Sequence, residues 1–145
     1  MDHAVIDHLK SLHTGAIDSR NGYQEALKDA EGHGLTPLFR EMISLHEQNA
    51  TELAHQLVGA GEQPNNDGSF MTTVNRTIMS VRSLFGGLGE SVLSGLIDGE
   101  KRNIGRYDSA LKVPGVSSDM QALLLRQRDR LQSAVMKMEA EKAAA

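Results

Sequence analysis

Glu100 lies within LIDGEKRNIGRY, residues 96–107, in the middle of a stripe that helical spacing otherwise fills with apolar side chains. Leu93, Leu96, Ile97, Ile104, Tyr107 and Leu111 recur at intervals of three and four, and at about 100° per residue Glu100 falls among them. A carboxylate in that position can ligate a cation, handle a proton, or be neutralised by a partner. The other helical segments interrupt their stripes in the same way. His46 stands between Phe39, Ile43, Ala50 and Leu53, and Arg20 stands between Ala16 and Leu27 with His13 near the edge. Gln127 or Arg128 fills the gap in the run Met120, Leu124, Leu131, Val135 and Met138. Counting outward from the two inter-helix turns puts Arg20 level with His46, and Glu100 level with Arg128. A buried polar layer of Arg20, His46, Glu100, Gln127 and Arg128 is therefore expected halfway along a bundle.

Two chemistries compete for that layer. A di-iron carboxylate site in a helical bundle needs a glutamate from each of two helices and a Glu-x-x-His pair from each of the other two, because iron takes several carboxylate oxygens plus imidazole. Here Ile43 precedes His46 by three, Leu125 precedes Arg128 by three, and two arginines at the same level would repel a cation. The favoured reading is a paired layer in which Arg20, Arg128 or both neutralise Glu100, with His46 and Gln127 completing the hydrogen bonds. An unpaired buried carboxylate would cost several kcal/mol. A literal Glu-x-x-His occurs in TELAH, as Glu52 and His55, on the side of its helix away from Leu53 and His46, where solvent is the expected neighbour. The alternative reading binds iron, manganese or zinc through Glu100 and His46, with Glu52, His55 or Asp18 assisting.

Other motifs carry less. GGLGES, residues 86–91, lacks the preceding strand and the following Gly-Lys-Ser/Thr of a phosphate loop and reads as a helix break. Gly95 and Gly99 are spaced for close helix approach. NAT at Asn49 and NRT at Asn75 match a glycosylation pattern but fall in helical segments. No Ser/His/Asp arrangement is evident, and the absence of cysteine excludes a thiol nucleophile and thiolate metal sites. No catalytic residue is assigned, so the balance is against an enzyme without deciding the matter.

The elements that must position the layer follow from periodicity. Of 145 residues, none belongs to a sustained period-two run, which predicts an all-α chain forming a single domain over 1–145. Helices are expected at about 4–31, 36–58, 90–112 and 117–142, with Thr36 as the N-cap of the second and Pro37 at its first position. The loop GEQPNNDGS, residues 61–69, opens a long crossover that carries a short amphipathic helix at about 69–85. Short turns at EGHG and VPG make two antiparallel hairpins, so the expected fold is a four-helix bundle with one crossover, the topology of ferritin-like proteins. Two Tyr, three Phe and no Trp leave the core to Leu, Ile, Val, Ala and Met. A net charge of −4 with interspersed signs argues against nucleic-acid binding. The densest basic run, Arg126, Arg128 and Arg130, reads as a solvated or paired helix face. No run of about 18 apolar residues is present, so no membrane partner is expected and a cytoplasmic location is.

The segments DSRNGYQEAL, LFREM with TELAHQL, NNDGSF and DGEKRNIGRYDSAL together resemble an uncharacterised ferritin-like family of bacterial proteins, a domain of unknown function. The resemblance covers nearly the whole chain and implies a four-helix bundle with a stress-linked role and no established reaction. Family members carry an acid at the place of Arg20, a His-Arg pair where this chain has Asn75 and Arg76, and a histidine near Arg128. Glu100 matches that pattern and the other three positions depart from it. The resulting expectation is a non-enzymatic bundle that self-associates as a dimer or higher oligomer and uses no cofactor, with a polar layer in place of a di-iron site.

Overall fold

The computed structural model describes residues 2–30, 34–64 and 89–144. Four helices run through them: α1 (His3–Ala30), α2 (Thr36–Gly59), α3 (Gly89–Leu111) and α4 (Ser118–Ala144). The chain is all-helical, with no strand among the described residues. The crossover helix expected at 69–85 lies outside them.

Three helix ends have a local cause. α2 does not use Thr36 as its cap: the cap position is Leu35, in helical dihedrals and without a side-chain cap bond, and Pro37 follows in the first turn. Leu35 is buried, so burial of its side chain anchors this end where a hydroxyl cap was expected. At the other end Gly61 adopts φ +83°, its N–H reaches the Val58 carbonyl at 3.0 Å, and the Glu62 N–H reaches Leu57 at 2.9 Å. That pair of bonds is a Schellman motif, and the left-handed residue within it suits glycine. α4 is capped by Ser117, whose Oγ accepts the Met120 N–H at 3.2 Å, with Asp119 adding negative charge in the first turn.

Side-chain pairs fix the directions. Lys10 meets Glu62 and Arg20 meets Glu47, so α1 and α2 are antiparallel. Lys101 meets Glu139 and Arg128 meets Asp108, so α3 and α4 are antiparallel too. α1 also packs on α3 with opposite sense, Ser19 bonding Asn103, and α2 on α4, Glu41 meeting Lys137. Consequently α2 and α3 are parallel and diagonal across the bundle, and Gly59 and Gly89 sit at opposite ends of it. Besides a small cluster of Ala16, Ile17 and Ala50, the core divides into two large apolar clusters. One gathers Tyr23, Phe39, Met42, Ile97 and Met138; the other gathers Leu9, Leu53, Leu57, Tyr107, Leu124 and Leu131. On α2 and α3 the residues between the two clusters include His46 and Glu100.

The Schellman turn yields a paired prediction. Gly61→Ala forces a side chain into φ +83° and should cost about 1 kcal/mol, lowering Tm by roughly a few degrees. Gly59→Ala places its methyl on a helical residue with open space around it and should leave Tm unchanged or raise it slightly. Thermal melts of both variants check the contrast.

Candidate functional site

Glu100 is 3% exposed, and its carboxylate accepts hydrogen bonds from side chains of α2 and α3. His46 Nε2, from α2, lies 2.9 and 3.0 Å from the two carboxylate oxygens; with Glu100 ionised, that nitrogen carries the proton and donates. The Tyr23 hydroxyl, from α1, lies beside the same carboxylate. Asn103, one turn further along α3, donates Nδ2 to Oε1 at 3.3 Å and to Ser19 Oγ at 3.2 Å. The Tyr23 ring stacks on His46 with centroids 6.0 Å apart and meets Phe39 edge-on at 5.2 Å, which fixes the phenol and imidazole rings. Burial, then the negative charge of Glu100, push the Tyr23 hydroxyl well above its ordinary range, so it stays protonated.

A second group lies one to two turns away. Tyr107 donates its hydroxyl to Gln127 Oε1 at 2.7 Å. Gln127, fully buried, donates Nε2 to the Asn49 carbonyl at 3.1 Å and to Glu52 Oε1 at 3.0 Å. Arg130 closes the group with a two-pronged contact to Glu52, at 2.6 and 3.2 Å, and a third bond to Asn49 Oδ1 at 2.9 Å. The Arg130 hydrogen bond, helped by Gln127 and the charges of Arg130 and Arg126, holds the Glu52 carboxyl below its ordinary range against the opposing effect of burial. Burial dominates at Tyr107 and raises its hydroxyl strongly.

The structure therefore assigns different partners from those expected. Neither arginine touches Glu100. Arg20 turns outward, donating Nε and Nη2 to Asn21 Oδ1 and lying 3.9 Å from Glu47. Arg128 is paired with Asp108 at 2.8 Å. Asp108 is eight residues from Glu100, about 12 Å along α3, so the level count from the turn misplaced Arg128 by two helical turns. Long cationic side chains that can reach solvent take that option, while the imidazole, fixed on the inner face, stays with the carboxylate. Glu52 does not face open solvent, because Gln127 and Arg130 of α4 reach it. His55 is exposed and His13 is 1% exposed, deeper than an edge position. Of the alternative metal set, Glu100 and His46 are in contact, and no group of three or more His, Asp or Glu able to hold a metal ion occurs among the described residues.

Tyr23, Asn103, Asn49 and Tyr107 are the members that sequence reading missed as site residues. Tyr23 and Tyr107 read as stripe residues, yet a buried tyrosine hydroxyl needs a partner, and that requirement was the available signal. Gly15 also belongs here. A Cβ at that position would lie 2.6 Å from Arg106 Nη1, so the glycine lets the guanidinium lie across α1 and donate to Asn103 Oδ1 at 3.4 Å. Beside it a cavity of about 10 Å³, bordered by His46, Asn103 and Arg106, has room for about one water molecule.

Because Glu52 is held below the usual carboxylate range when folded, its stabilising effect is complete above its ordinary value of 4.5 and is lost as pH falls through the lower, folded value. Glu52→Gln should accordingly melt below the wild type at pH 7, and the gap should close in acid. Melts at pH 7 and about pH 3 check this; a gap of equal size at both would contradict it.

A family model fits this chain over residues 4–113, spanning α1 to α3 and with them Tyr23, His46, Glu100 and Asn103; the family is described as a domain of unknown function (DUF2383). Neither curated proteins nor solved structures yielded a match. No described helix is long and apolar enough to cross a membrane. With more than half of its length matched, the chain belongs to the DUF2383 family.

Proposed function

We propose that this protein is a non-enzymatic helical bundle of ferritin-like type, in which the Glu100 network fixes helix register at the level where a di-iron protein holds its metals. The observation that carries this reading is the occupancy of the Glu100 oxygens. Donors from His46 and Asn103 converge on one carboxylate beside the Tyr23 hydroxyl, and they would have to leave or deprotonate for a cation to bind. The parallel diagonal arrangement of α2 and α3, separated by the long stretch 60–88, supports the ferritin-like part of the reading. Self-association is part of the proposal as well; the exposed apolar side chains Leu125 and Met136 on α4 support it, and light scattering tests it. Iron, manganese or zinc has no place in this account as a resident cofactor.

Two experiments bear on it. Glu100→Leu alone leaves the buried His46 donor unpaired and should cost on the order of 3 to 5 kcal/mol. Glu100→Leu with His46→Leu removes both partners and should recover much of that loss in a chemical denaturation series; equal losses in the single and double variants would contradict a paired layer. Dialysis against ferrous, manganous and zinc salts followed by elemental analysis should leave no stoichiometric metal. Metal retained by the wild type and lost in Glu100→Ala would replace this reading with the metal-binding one.

A further inference from the structure

The seam between α1 and α2 carries a groove that the Glu100 network does not use. It encloses about 440 Å³, within the size range of small-molecule sites, and its floor is built of Ile17, Ala50 and Ala54. Small side chains at 50 and 54 leave the depression, and Ile17 and Ala50 are buried against Ala16.

Two polar groups at this floor lack strong partners. Arg20 borders the groove with its side chain 22% exposed, and its counter-ion Glu47 is 58% exposed and 3.9 Å away, beyond hydrogen-bonding distance. The remaining guanidinium donors go to the neutral side chain of Asn21. His13 also borders the groove, is 1% exposed, and makes no hydrogen bond through its ring among the described residues. Burial and the adjacent Arg20 charge hold His13 below its ordinary range, so at neutral pH it is an uncharged ring with one N–H to donate. A half-desolvated guanidinium, an idle imidazole N–H and an apolar floor complement a carboxylate attached to a short hydrocarbon. A metal cation is opposed by Arg20, and a phosphate ester would leave the floor unused.

We propose that this groove binds a small aliphatic carboxylic acid, its carboxylate on Arg20 and His13 and its chain along Ile17, Ala50 and Ala54. Binding requires Glu47 to swing into solvent, which its exposure allows. The proposal is independent of the function assigned to the Glu100 network.

Titration of the full chain with octanoate, followed by NMR of the His13 ring and the Ile17 methyl groups, tests it. Saturable shifts at both are expected. Arg20→Gln should weaken binding about tenfold or more, because a charge-assisted bidentate contact is lost. Glu47→Gln should tighten it several-fold by removing the competing carboxylate. Octanol, with the same chain and no charge, should bind at least about tenfold more weakly than octanoate. The proposal fails if octanoate gives no saturable shifts, if Arg20→Gln and Glu47→Gln bind like the wild type, or if octanol binds as well as octanoate. Unchanged thermal melts of the two variants would show that altered binding is not altered folding.

Discussion

The bond between Glu100 and His46 crosses the diagonal of the bundle, joining two helices whose backbones do not approach each other. Among the described residues the other ties between the halves run through neighbouring helices, whereas this one holds α2 and α3 at a fixed relative height. Its strength comes from its surroundings. An ionised carboxylate inside an apolar core is costly, and the cost is offset only when its oxygens are filled with well-placed donors. Asn103 of α3 bonds both this carboxylate and Ser19 of α1, and Tyr23 of α1 lies beside it, so the arrangement persists only when three helices are in register. A one-turn slip of any of them would strand a buried charge.

The second group extends the same constraint to α4. Gln127 binds the backbone of α2 while accepting from Tyr107 of α3, and Arg130 grips Glu52 and Asn49 from the far side. Polar specificity is thus spread over two levels, between two clusters of aliphatic packing that supply most of the burial. Replacing such a network by well-packed apolar residues is often neutral for stability, whereas removing one member of it is costly. That division of labour suits a chain poor in aromatic residues, whose leucines and methionines could otherwise settle in several ways.

Much of this was legible in the sequence, though unevenly. Periodicity alone located the four helices, and the interruption of the stripes singled out Glu100, His46 and Gln127. The partners were not legible, because which charge lies level with which depends on the height at which two helices dock, and a stripe carries no height. Arg128 shows the consequence, pairing with Asp108 two turns away. Arg20 shows another limit, since a side chain long enough to reach solvent need not follow its Cα inward. Tyr23 and Tyr107 were hidden by their apolar rings, and Glu52 by the assumption that a residue off the inner stripe meets only water.

If proton donors occupy the Glu100 oxygens, NMR of the His46 imidazole in uniformly labelled protein should reveal a protonated Nε2. Its hydrogen should resonate far downfield, exchange slowly with water and be lost in Glu100→Ala. An unprotonated Nε2, or a ring proton exchanging as freely as that of exposed His55, would contradict that occupancy.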